Sequence, residues 1–71
     1  EEDGPSGTEI QGLLQKAIIK LPEKQRLVFN LRYFEEMNYR EMSEMLSTSE
    51  GALKASFHHA VRKIEQQLFK K

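Results

Sequence analysis

Apolar residues in this chain recur every three to four positions rather than alternating, and the recurrence is interrupted at Pro22, at Asn38 and at the hydroxyl triplet Ser47, Thr48 and Ser49. A chain punctuated in this way is restricted to a few short helices, because a strand would need apolar residues at every second position. Thr8 followed by Gln11 has the spacing of a capping box. Ile10, Leu13, Leu14, Ala17, Ile18 and Leu21 then share one helical face, which predicts a first helix reaching about Lys20. Pro22 stops that helix and suits the first turn of the next, where Glu23 complements the dipole and Leu27, Val28, Leu31 and Phe34 form the apolar stripe. Asn38 with Glu41 forms a second capping box, opening a short helix with Tyr39, Met42, Met45 and Leu46 inward. The hydroxyl triplet breaks that helix and supplies a cap for a fourth, whose core positions are Leu53, Phe57, Ala60, Ile64 and Leu68. The fold class expected is all-α, four helices with a helix-turn-helix at the C-terminal end.

At 71 residues there is room for one small core, with a net stability on the order of 3 to 5 kcal/mol. Cysteine is absent, so neither disulfides nor thiolate-bound zinc contribute, and a cytoplasmic location is expected. The longest apolar runs, Ala17 to Ile19 and Leu27 to Phe29, are three residues long. That is far short of the roughly 20 residues a membrane span needs, so no membrane association is expected. The chain begins with Glu1 rather than methionine, which points to a piece of a longer protein. Residues 1–8 are acidic and rich in glycine, proline and serine, and read as a flexible linker or tag remnant ahead of a domain over 9–71.

The formal charge is zero but unevenly spread. Residues 1–9 carry −4, residues 10–50 balance, and residues 51–71 carry +4. The basic end is therefore the footprint available to a polyanion. With Leu53 set at the core and about 100° per residue, Gly51, Ala55, His58 and Arg62 point away from it, with Ala52, Lys54 and His59 on the flanks. Small residues at Gly51, Ala52 and Ala55 permit close approach to base edges, while Lys54, Ser56, His58 and His59 supply polar groups around them. Arg62 and Lys63, further along, suit phosphates. The same pattern also describes a solvated basic helix face, and periodicity alone leaves both open.

His58 and His59 raise the question of a metal, but adjacent helical residues point about 100° apart, whereas ligands on one helix need i, i+3 or i+4 spacing. No metal site and no cofactor are expected. The carboxylate pairs Glu35 and Glu36, and Glu41 and Glu44, sit where helix surfaces ordinarily carry charge. Neither a phosphate loop nor a nucleophile elbow is present, so no enzymatic activity is expected.

Three segments carry a family resemblance: Leu21-Pro22-Glu23-Lys24-Gln25-Arg26-Leu27-Val28-Phe29, Tyr39-Arg40-Glu41-Met42-Ser43-Glu44-Met45-Leu46, and the run from Ser49 to Ala60. Together they resemble region 4 of extracytoplasmic-function sigma factors, over about residues 10 to 69. The resemblance implies that the fourth helix recognises the minus-35 promoter element. It also implies that the first helices bind the flap of the RNA polymerase beta subunit, and that an anti-sigma factor covers these surfaces when transcription is held off. Lys54, Ala55, Ser56, His58 and His59 fall where the family contacts bases and nearby phosphates, and Tyr39 and Arg40 where it grips the backbone.

The chain departs from the family pattern at Ala52 (often Thr), Ala55 (often Ser), Ser56 and His59 (often Arg). Ser47 stands for the common turn glycine, and Met37 for the glycine ahead of the third helix. Two other readings remain at this level: the output domain of a different helix-turn-helix regulator, and a helical protein-interaction module. Ile19 and Phe29 are read as part of a broad core face, although exposed they would suit polymerase or anti-sigma contact.

Overall fold

The structure, a computed structural model, describes residues 7–69, with side chains from residue 11 onward. It contains α1 (Gly7–Ile19), α2 (Glu23–Tyr33), α3 (Tyr39–Leu46) and α4 (Glu50–Leu68), and no strand among the described residues. Helix α1 already includes Thr8, so Thr8 is not the residue ahead of the helix that a capping box requires. Of the expected linker 1–8, residues 1–6 lie outside the described residues, and Gly7 and Thr8 belong to α1. No described helix is long and apolar enough to cross a membrane.

The junction between α1 and α2 explains the Leu-Pro-x-x-x-Arg segment. Pro22 adopts φ −55° and ψ 150°, so it stands at the N-cap of α2, one position earlier than expected, and its carbonyl accepts from the Arg26 N–H at 2.8 Å. The Arg26 guanidinium reaches back, with Nη1 donating to the carbonyls of Ile19 at 3.1 Å and Leu21 at 3.5 Å. These carbonyls lie at the C-terminal end of α1, where a helix leaves acceptors unpaired and favours a cation.

At α3 the expected capping box is present in full. Glu41 N–H donates to Asn38 Oδ1 at 2.8 Å, and Asn38 N–H donates to Glu41 Oε1 at 3.1 Å. The hydroxyl triplet divides its work. Ser47 turns the chain in the left-handed region at φ 53°, Thr48 Oγ1 donates to the Leu46 carbonyl at 3.0 Å, and Ser49 Oγ accepts from Ala52 N–H at 3.2 Å to cap α4.

Left-handed backbone is unfavourable for residues with a Cβ, by about 1 to 2 kcal/mol. Among the described residues two non-glycine residues accept it, Ser47 and Glu36 at φ 54°. The first is the position assigned to the missing turn glycine. The second lies one residue before Met37, the position assigned to the glycine ahead of α3; Met37 itself is not left-handed, and its N–H donates to the Leu31 carbonyl at 3.0 Å. Ser47→Gly and Glu36→Gly are each expected to raise stability by about 0.5 to 1 kcal/mol, the strain relieved being partly offset by glycine's greater freedom in the unfolded chain. A shift of the urea midpoint to higher concentration checks this, and a lower midpoint for both would contradict it.

Helix α4 is the hub against which α1, α2 and α3 all pack. One core cluster joins Ala17, Ile18, Leu21, Phe29, Ala60 and Ile64; a second joins Val28, Met42 and Leu53. Phe57 packs against both, and its ring stacks on Phe29 with centroids 5.6 Å apart. The predicted core positions of α4 face inward, with Leu53, Ala60 and Ile64 buried and Phe57 and Leu68 half-buried.

Elsewhere the apolar stripes are narrower than the periodicity implies. Leu27 is 43% exposed, Phe34 48% and Met45 52%, while Phe29, three residues along from Arg26, joins Val28 as the buried residues of α2. Phe29 therefore belongs to the core face as expected, whereas Ile19 does not, being 66% exposed. Leu13, too, is exposed. The reason is geometric: α1, α2 and α3 each meet the hub along one narrow strip, so residues at the margins of their apolar arcs have no neighbour to cover them.

Candidate nucleic-acid interface

The face of α4 turned away from both cores holds Gly51, Ala52, Lys54, Ala55, His58, His59, Arg62 and Lys63, all exposed, whereas Ser56 is half-buried. Ser56 therefore sits at the edge of this face rather than on it. The N-terminal half is nearly bare of side-chain bulk. A Cβ added at Gly51 would meet nothing within 4 Å, so the protein's own packing does not demand a glycine there. His58, His59, Arg62 and Lys63 border one groove with Gln66. The imidazole ring centroids are 6.2 Å apart and their planes are tilted by 53°. Among the described residues no group of three or more potential metal ligands gathers, at this pair or elsewhere.

Helix α3 approaches α4 across the Ser47–Ser49 turn and brings Tyr39 to the start of the same face. The Tyr39 ring lies between two cations from different helices, with the Arg32 guanidinium carbon 5.3 Å from its centroid and the Lys54 Nζ 5.7 Å. Each contact is within cation–π range and holds its cation over a half-buried ring, which restricts long side chains that would otherwise sweep through solvent. Arg32, Tyr39 and Lys54 thereby form one unit contributed by α2, α3 and α4.

Arg32 is absent from the sequence-derived candidates. It lies in the last turn of α2, outside the helix-turn-helix, and no spacing within a single helix connects it to Lys54. Arg40, by contrast, is a candidate that stands apart from this unit. Its Nε is 3.9 Å from Glu44 Oε2, and the two side chains are 82% and 73% exposed. A pair so exposed contributes little and is readily exchanged for another partner.

A short helix, a three-residue turn and a longer helix with a cationic, small-residue outer face, braced by two preceding helices, define a helix-turn-helix domain. The family whose description is Sigma-70, region 4, matches residues 11–64, and the chain belongs to that family. It is 33% identical over 67 residues to the ECF RNA polymerase sigma factor SigW of Bacillus subtilis, covering 94% of this chain and 36% of that protein. To the RNA polymerase sigma-E factor of Streptomyces antibioticus it is likewise 33% identical over 67 residues, covering 94% of this chain and 37% of the relative. Over 41 residues it is 51% identical to the RNA polymerase sigma factor FliA of Pseudomonas aeruginosa, covering 58% of this chain and 17% of that protein. The chain thus spans little more than a third of the length of the first of these relatives. The family match sets aside the reading as an output domain of an unrelated regulator.

Proposed function

We propose that this domain recognises the minus-35 promoter element as part of a sigma factor that directs RNA polymerase to initiate transcription. The observation that carries the reading is the combination of the region 4 match over residues 11–64 with a cationic α4 face whose first two turns present Gly51, Ala52 and Ala55 beside Lys54. Gly51, Ala52 and Ala55 let the helix enter the major groove, and Lys54, His58 and His59 reach base edges and flanking phosphates, with Ser56 in a marginal position. Arg62 and Lys63 hold the backbone further along. Tyr39, Arg40 and the unanticipated Arg32 hold it at the start of α3.

The exposed apolar residues Leu13, Ile19, Leu27, Tyr33 and Phe34 lie on α1, on α2 and just beyond it. They fit the parts of the domain expected to dock on the polymerase beta flap or to be covered by an anti-sigma factor. This surface gives the protein-interaction reading a place beside DNA recognition rather than against it.

The experiment is selection of duplexes with a randomised segment by the isolated chain, at low and then at physiological salt, followed by sequencing of the bound fraction. Enrichment of a short motif is the expected result, with affinity falling steeply as salt rises because bound phosphates release counterions. Absence of binding even at low salt would favour a module that contacts protein alone.

A further inference from the structure

The chain contains two histidines, and both stand side by side on the exposed face of α4. Lysine and arginine side chains ordinarily stay charged well above neutral pH, whereas an imidazole ordinarily changes charge between about pH 5 and pH 8. A face that presents both kinds of group carries a fixed and a conditional positive charge. His59, moreover, stands where the resembling family often has arginine, so a conditional cation occupies a fixed cation's place.

The charged groups around the pair leave the conditional charge uncompensated. On α4 itself these are Lys54, Arg62 and Lys63, with the carboxylates of Glu50 at the start of the helix and of Glu65, two turns beyond His58 on nearly the same face. From α1 comes Lys20, which borders a groove with Lys63, Gln66 and Gln67. From α2 comes Arg32, and from α3 the Tyr39 phenol, both gathered at Lys54. The one ion pair among the described residues, Arg40 with Glu44, lies within α3. Among those residues no carboxylate lies within 4.0 Å of either imidazole. A polyanion bound on this face would supply the nearest negative charge to a protonated His58 or His59.

We propose that DNA binding through α4 is coupled to proton uptake at His58 and His59, so that affinity rises as pH falls through the imidazole range. The inference rests on α4 being the DNA-facing helix. Phosphate oxygens beside an imidazole favour its charged form, so the bound state holds the proton to higher pH than the free state. The added affinity is fully present below the free group's titration and is lost as pH rises through the bound group's. Polymerase carrying this domain would engage DNA more tightly in an acidified cell without any other signal.

The test is fluorescence anisotropy of the chain with a labelled mixed-sequence duplex, at low and constant ionic strength, at about pH 6 and about pH 8. The dissociation constant is expected to be roughly tenfold or more weaker at the higher pH, since each unit of pKa rise on binding is worth a factor of ten. The double variant His58→Asn with His59→Asn is expected to lose this dependence. His59→Arg combined with His58→Asn is expected to bind at both values alike, and Lys54→Ala to weaken binding at both while keeping the dependence. A flat wild-type response, or the same dependence in the double asparagine variant, with binding still sensitive to Lys54→Ala, would overturn the proposal and leave α4 as the DNA face. Absence of binding at either pH, or binding indifferent to Lys54→Ala, would overturn the reading of α4 and the proposal with it.

Discussion

Phe57→Ala is expected to abolish cooperative folding, seen as loss of the helical circular-dichroism signal and of its sigmoidal thermal melt. Truncating a core aromatic costs about 3 to 5 kcal/mol, comparable to the whole stability of a domain of this size. Phe57 retains some solvent contact, which places the loss of burial at the lower end. Its position works in the other direction, because the same ring packs against the cluster built on Ile18 and Ile64 and the cluster built on Val28 and Met42. Removing it leaves a gap between two small cores, neither of which is large enough to persist alone. Phe57→Leu, which keeps most of the volume, is expected to melt cooperatively at a lower temperature. A cooperative melt of Phe57→Ala at an unchanged midpoint would show that the two clusters are held together elsewhere.

The second large effect is on function. Lys54→Ala combined with His58→Ala is expected to reduce promoter-directed transcription by the sigma factor that carries this domain about a hundredfold or more, with the melting curve unchanged. Each lost base or phosphate contact is worth about 1 to 3 kcal/mol, and two such losses compound. Both side chains are exposed and neither enters a core cluster, so stability gives no competing explanation. The variant also loses one of the two cations that pack on Tyr39, while Arg32 and the second core cluster keep their own contacts with that ring. Undiminished transcription by a folded variant would remove α4 from promoter recognition.

The departures from the family pattern acquire physical content in this light. On the proposed DNA-reading role, serine at 56 and histidine at 59, where the family often has arginine, take permanent cations from the face and lower the salt-dependent share of binding, whereas alanine at 52 and 55 takes away only neutral hydroxyls. Serine at 47 and glutamate at 36 occupy left-handed backbone that the fold imposes on them. On that proposed role the first set bears on what the domain reads, and the second on how stable it is.

Much of this molecule follows from the sequence alone, because the signals concerned are local. The capping box at Asn38 and Glu41 involves residues three apart, and the Ser49 cap needs only its own first turn. The inward face of α4 follows likewise from a repeat of 3.6 residues, since a helix with neighbours on several sides turns its apolar arc wholly or partly under cover. What the sequence could not determine is which margin of each peripheral helix meets that hub. Phe29 is covered and Leu27, Phe34, Met45 and Ile19 are not, because coverage depends on where another helix passes rather than on the residue's own periodicity. The union of Arg32, Tyr39 and Lys54 belongs to the same class. Its three members lie in three different helices, so only the packing of α2 and α3 on α4 brings the two cations to one ring.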